Sequence, residues 1–422
     1  MERLKNRSIE ALRSLEKYTK TDMVYLAKGG FWLGIGQFIA TGSAFLLSVA
    51  FANLISPESY GLYKFVLSIN SLILITTLSG MDSAVTQAVS RGFDGTMEAG
   101  FKIKMKWGFL GSIISIIVAV YYLTQGNTIL ALCFGIISIF VPFTESSDIY
   151  NSLLWGKKLF NVQAKYNAIN TLIILSSTTL ALFITQNLYI VLATYLLALT
   201  LPNLFFINRT KKIYKENNEI DPDAIGYGKH LSIIGLLGLL VAQLDKILVF
   251  HYIGAVNLAI YSLAVAPTDQ VKGLLKNINS LAMPKFSEKT VGQIKNSIWH
   301  KVWILSLIMI IVATGYIIFI PFLFKIFFPK YLASIIYSQV MSVSLIFAVL
   351  AGFLATVLES QKAQKELYKY NIYTNVINIL VLFPLVYFYG IWGAIISRLI
   401  ARIFSLGYSS YLLRKILILN QN

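Results

Sequence analysis

ISPESYGLY at 55–63 and IGAVNLAIY at 253–261 set an Ile, a short turn and a Tyr at the same spacing. Each segment leaves one long apolar run and enters the next. Outward from these two anchors, runs of about 20 apolar residues, the length that crosses a bilayer as a helix, recur along the chain. Twelve are read, at 28–51, 62–81, 105–123, 129–149, 165–185, 188–207, 231–250, 259–282, 300–320, 335–357, 371–389 and 391–413. The two anchors follow the first and seventh runs, so the pattern predicts a duplicated six-helix unit. Six is even, and the halves therefore share an orientation, related by a pseudo-two-fold axis along the membrane normal. The expected fold is an all-α integral membrane protein with twelve transmembrane helices in two six-helix bundles. The bundles are expected at 27–207 and 231–413. A basic segment 1–26, a charged linker 208–230 and a tail 414–422 flank and join them.

Composition excludes a water-soluble enzyme. Of 422 residues, 56% are apolar and 13% charged, about half the charged fraction usual in globular domains, and the mean hydropathy is +0.68. A soluble chain of this size could not hide that much apolar surface. The net charge of +17 does not indicate nucleic acid, because the basic residues sit in short connections between apolar runs. Alternate connections carry 27 Lys and Arg, whereas the opposite set carries only Lys325 and Lys330. The positive-inside rule then places both termini in the cytoplasm of a multi-pass cell-membrane protein. Leu4, Ala11, Leu12 and Leu15 share one helical face within the basic N-terminal segment, as in an interfacial helix drawn to anionic lipid; a basic tail without structure fits equally. Three His and the lone Cys133, without clustering, offer no metal-ligand set, and no disulfide is possible within the chain.

Ionisable residues inside spans are costly and usually face a cavity or a partner. In the eighth run Ser262, Asp269, Lys272, Lys276 and Asn279 share one helical face, and Pro267 is expected to kink that helix. Arg398, Arg402, Ser405 and Ser409 form a similar stripe in the twelfth run. Asp245-Lys246 in the seventh run and Lys64 in the second lie near the outer side, and Asn371, Asn375 and Asn378 line one side of the eleventh. Glu145, Asp148, Asp82 and Glu359 read as interface residues, solvated or paired between helices. The surplus of Lys and Arg at depth suits an anionic substrate, with guanidinium the favoured phosphate partner.

Several segments carry a resemblance to a known family: LISPESYGLY at 54–63, LDKILV at 244–249, YSLA at 261–264 and PKFS at 284–287. The chain resembles the polysaccharide flippases of the multidrug/oligosaccharidyl-lipid/polysaccharide exporter superfamily, O-antigen flippases most of all. It departs from the pattern at Ala259, where the second-half motif usually has a Gly equivalent to Gly61. The resemblance implies a central cavity lined by the first, second, seventh and eighth helices. It also implies a substrate of sugars on a polyprenyl pyrophosphate lipid, moved from the cytoplasmic to the outer leaflet during surface-polysaccharide or lipopolysaccharide assembly.

Lys272, Lys276, Arg398, Arg402, Lys246 and Lys64 are then the candidate substrate-binding residues. Asp269 and Asp245 are candidates for a coupling proton or sodium ion. No cofactor and no enzymatic step are expected; membrane lipids and polysaccharide polymerase machinery are the expected partners. The rivals are a cation-coupled multidrug exporter of the same superfamily, a membrane polymerase or glycosyltransferase, and a lipid-binding scaffold. A cationic surplus speaks against the exporter. The short outer loops leave little room for a polymerase or transferase catalytic loop.

Overall fold

A computed structural model describes residues 23–287, 291–361 and 363–419, with side chains described throughout except at 23–29, 33, 274–285, 287, 291–293, 295–296 and 418–419. The amphipathic reading of Leu4, Ala11, Leu12 and Leu15 lies outside the described residues. Those described form helices and short connections, with no strand among them. In order they are α1 (Met23–Leu54), α2 (Pro57–Ile73), α3 (Gly80–Ser90), α4 (Thr96–Thr124), α5 (Thr128–Ser147) and α6 (Tyr150–Gly156). There follow α7 (Phe160–Ile184), α8 (Leu188–Tyr214), α9 (Ala224–Ser287), α10 (Val291–Phe327), α11 (Ser334–Ser360) and α12 (Gln364–Leu419).

Ten helices among the described residues are long and apolar enough to cross a membrane. Two of these are double. At 64 residues α9 would be about 96 Å long if straight, roughly three times the hydrocarbon core. It folds back at Gly254, whose φ of 85° and ψ of 177° are non-helical. The 56-residue α12 does the same at Gly390, with φ 57° and ψ −126°. Both conformations strain any residue with a Cβ. Splitting α9 into arms α9a (224–253) and α9b (255–287), and α12 into α12a (364–389) and α12b (391–419), gives twelve spanning segments in a multi-pass membrane protein.

The observed helices overrun the apolar runs. α2 begins at Pro57, capped by the Ser56 hydroxyl accepting from the Ser59 amide, with Pro at the first turn where its missing N–H costs nothing. It ends early, in a 3-10 turn at Leu74–Thr77 followed by Leu78 at φ 60°, and α3 departs in a new direction. The helix continues through Pro267, with Gly254 its non-helical residue. The charged connection read as 208–230 is helical at both ends, and only 215–223 is non-helical.

The two halves meet first at the end bearing the 54–57 and 253–255 turns, here the turn end. A Cβ built on Gly61 would lie 1.8 Å from the Ala255 carbonyl oxygen, so α2 and α9 touch backbone to backbone there. Ala259, at the position equivalent to Gly61, is fully buried. Phe65 stacks on Phe250 at 3.8 Å between centroids, and Tyr60 meets Tyr331 edge-on. Asn53 donates to the Phe327 carbonyl at 2.9 Å, and the Lys330 ammonium donates to the Asn53 carbonyl at 2.8 Å. These contacts belong to one large apolar core that also holds Phe51, Tyr63, Leu258 and Tyr261.

Nearer the opposite end, α3 meets the start of α9a. The Gly80 amide donates to the Ser232 hydroxyl at 3.0 Å, and Gly228 lies against Met81. There the linker is strapped to the first half. Lys157 bridges Asp94 at 2.7 Å and Glu216 at 2.9 Å, Arg91 pairs with Asp221, and Lys211 and Lys215 both reach Glu98. Burial disfavours the charge on Lys157, but Asp94 and Glu216 outweigh it and hold the ammonium above its usual range.

Candidate functional site

Five of the eight candidate residues converge on one cavity in the second half, of about 670 Å³. α9a supplies Asp245, α9b supplies Asp269 and Lys272, and α12b supplies Arg398 and Arg402. Asn375 and Asn378 on α12a complete a polar wall. At 1.5 Å per residue, Arg398 lies about 12 Å and Arg402 about 18 Å from the Gly390 turn. Because α9b starts at 255 rather than 259, Asp269 lies about 21 Å from the Gly254 turn, deeper than the apolar run implied. The cavity thus sits around mid-depth in a core about 30 Å thick.

Within it the charges are ordered. Asp245 is buried, paired with the Arg398 guanidinium, and accepts from the Tyr261 hydroxyl at 2.5 Å and from its neighbour's amide, Lys246 N–H, at 2.7 Å. The Arg398 carbon stands 5.8 Å from the Tyr261 ring centre, a cation–π geometry. Arg398 Nη1 also reaches Asp269 at 3.5 Å. The Asp245–Arg398 pair therefore ties α9a to α12b across the lobe. Removing one partner of such a buried pair strands the other charge, at a cost of about 3–5 kcal/mol.

Arg402 is placed differently. One Nη donates to the Ser344 hydroxyl of α11, and the other stands 3.8 Å from Asp269, at the outer limit of an ion pair. Asp269 is itself 47% exposed, so it faces the cavity and neutralises Arg402 only in part. Lys272, one helical turn further along α9b, is exposed on the cavity wall. Three cations face two carboxylates among the lining residues, a narrower cationic surplus than the sequence stripe suggests.

Lys246 and Lys64 are not among the residues that line this cavity. Lys246 donates to Gln243 Oε1 at 3.1 Å on its own helix. Lys64 sits 5.1 Å from the Tyr60 ring centre near the turn end. Lys276 lies on α9b, and its side chain falls outside the described residues. Sequence reasoning missed Ser344, which holds Arg402, and Tyr261, quoted only as a motif residue, which holds Asp245. A stronger omission is Lys104, read as a loop cation. It is fully buried and grips both oxygens of Asp82 at 2.7 and 2.9 Å. Asp82 and Asp148 line a second cavity in the first half, of about 570 Å³, with Ser83, Gln87, Asn151 and Tyr227.

Comparison with known proteins follows from this geometry. The fold matches the lipid II flippase MurJ in an inward closed conformation, with a TM-score of 0.67 at 16% identity over 90% of this chain and 86% of that one. An inward-facing multidrug resistance MATE transporter of the MOP superfamily matches with a TM-score of 0.63 at 12% identity, covering 92% and 98%. A MOP superfamily transporter from Pyrococcus furiosus, described as having a binding pocket of reverse polarity, matches at 0.64 with 13% identity, covering 92% and 96%. At these identities the likeness is one of fold: twelve helices in two lobes related by pseudo-two-fold symmetry. No curated protein matches in sequence. The model of the family described as polysaccharide biosynthesis protein matches residues 26–290, well over half of the chain, and the protein belongs to that family.

Proposed function

We infer that the protein is a flippase for polyprenyl-pyrophosphate-linked oligosaccharide, carrying it from the cytoplasmic to the outer leaflet by alternating access for surface-polysaccharide assembly of the O-antigen type. One observation carries this reading. A mid-membrane cavity presents Arg402 and Lys272 with a cationic surplus, beside Asn375 and Asn378, in a protein of the polysaccharide biosynthesis family. A diphosphate matches paired cations, and guanidinium offers the forked donors that phosphate oxygens accept. Carboxamides suit sugar hydroxyls.

In this reading the turn end faces outward, as the distribution of basic residues predicts, and the diphosphate enters from the cytoplasm while that end is closed. It displaces Asp269 from Arg402 and settles between Arg402 and Lys272. The bundles 27–207 and 231–413 then rock about the linker, separating Gly61 from Ala255. Arg398, saturated by Asp245, positions the wall rather than gripping substrate. Asp269 is the candidate for a coupling proton or sodium ion, since it alone of the two carboxylates is open to the cavity.

The test is translocation in proteoliposomes with a fluorescent polyprenyl-pyrophosphate disaccharide. Wild type should expose the probe to an external quencher or glycosidase. Lys272→Ala/Arg402→Ala should fall at least tenfold with normal insertion and yield. Undiminished movement in that variant overturns the assignment.

A further inference from the structure

On the flank of the first lobe, outside both cavities, α1, α7 and α8 enclose a cleft of about 480 Å³. Its floor is the close approach of Gly36 to Ala164, where an added Cβ would stand 3.6 Å from the Ala164 methyl. Lys165 and Arg209 line one end together with Trp32, Tyr166 and Tyr214, while Ile35, Ile39, Ile169 and Leu172 wall the rest. Arg209 is aimed by its Nε, which donates to the Tyr166 hydroxyl at 3.1 Å.

These two cations differ from their neighbours. Arg91, Lys157, Lys211 and Lys215, at the same end of the molecule, each hold a carboxylate. Among the described residues no ion pair reaches Lys165 or Arg209, both of which are exposed, and no Asp or Glu lines the cleft. Trp32 and Tyr214, beside them in the cleft, are of the residue types that collect at the headgroup boundary. Ile169 and Leu172 also begin a second, apolar groove between α1 and α7 that runs to Phe183. From Lys165 to Phe183 is about 27 Å along the helix, ample for an acyl chain that spans half of a 30 Å core.

We propose that this cleft binds an anionic phospholipid of the bilayer, its phosphate bridged by Lys165 and Arg209 and its chain laid against Ile35, Ile39, Ile169 and Leu172. The site stands apart from the Arg402 cavity and does not depend on the transport reading. α1 packs chiefly against α7, so a lipid held across the two helices supplies contacts that α1 otherwise lacks and ties it to its lobe.

The experiment uses the full chain in phosphatidylcholine nanodiscs, with brominated phosphatidylglycerol or brominated phosphatidylcholine added at increasing mole fraction. The readout is Trp32 quenching, taken as the difference between wild type and Trp32→Phe. Phosphatidylglycerol should quench at about tenfold lower mole fraction, as two cations facing one anionic headgroup at a membrane surface require. Lys165→Gln/Arg209→Gln should abolish that preference while leaving quenching by the zwitterionic lipid unchanged. Equal quenching by both lipids in wild type overturns the proposal and needs no variant that might misfold. So does preferential displacement of the brominated phosphatidylglycerol by polyprenyl phosphate, which would assign the cleft to substrate.

Discussion

The two lobes share a fold and bury their charges to opposite effect. In the first, Lys104 is sealed from solvent with both of its bonds on Asp82, and the adjoining cavity is lined by Asp82 and Asp148 without a lysine or arginine. In the second, Arg398 pairs with Asp245, Arg402 stands 3.8 Å from the exposed Asp269, and Lys272 also lines the cavity. In each lobe an Asp–cation pair with one well-buried member braces the helices. Only the second adds cations beyond its brace. The two pairs join non-equivalent helices, α3 with α4 in one lobe and α9a with α12b in the other, while the described linings of the two cavities differ in polarity, and an anionic substrate should engage only one of them.

The widest break in this comparison comes from the second brace. Asp245→Asn should leave Arg398 with only the exposed Asp269 at 3.5 Å, lowering stability by up to about 3–5 kcal/mol, visible as a drop in thermal unfolding temperature in detergent. Asp245→Leu/Arg398→Met, which removes both charges, should recover much of that loss. A double variant as unstable as the single one would deny that the pair acts as a brace.

A second break falls between the lobes. Gly61→Val places a side chain where the Ala255 carbonyl already stands, so the turn end should not close. Cysteines introduced at Asn53 and Phe327, whose backbone and side chain are hydrogen-bonded in the closed form, should crosslink readily in the parent and poorly in the Gly61→Val chain. Equal crosslinking would show that α2 yields without separating the lobes.

The first brace should matter less. Asp82 is 39% exposed on its side chain, so water can take over part of its role, though Lys104 cannot be reached. Asp82→Asn should destabilise by a few kcal/mol and leave diphosphate affinity unchanged; altered affinity would mean that the first cavity also handles substrate. The smallest effect belongs to the linker strap. Lys211→Ala removes a half-exposed partner of Glu98 and should cost about 0–1 kcal/mol, with that difference fading in high salt.

What was legible in the sequence is what lipid contact dictates. The spans show as apolar runs because their outward faces meet hydrocarbon, and the fold-backs fall in the gaps between runs, where Gly254 and Gly390 take angles that strain other residues. The separate stripes at Asp269 and Lys272 and at Arg398 and Arg402 showed, since a charge at depth has few physical justifications, but their meeting across helices did not. Lys104 did not. It lies two turns inside α4, whose polar beginning at Thr96 falls short of an apolar window, and a buried cation satisfied across helices looks in sequence like a loop residue. Tyr261 and Ser344 were hidden for the same reason, because their value lies in the partner each meets.

The central claim is that the cationic wall of the second lobe grips a diphosphate. Equilibrium binding of a short-chain polyprenyl pyrophosphate to the purified protein in nanodiscs addresses it without the complication of turnover. Arg402→Ala/Lys272→Ala should weaken binding at least tenfold, with a monophosphate analogue already weaker for the parent chain. Affinity that survives both substitutions intact would place the headgroup elsewhere and contradict the account.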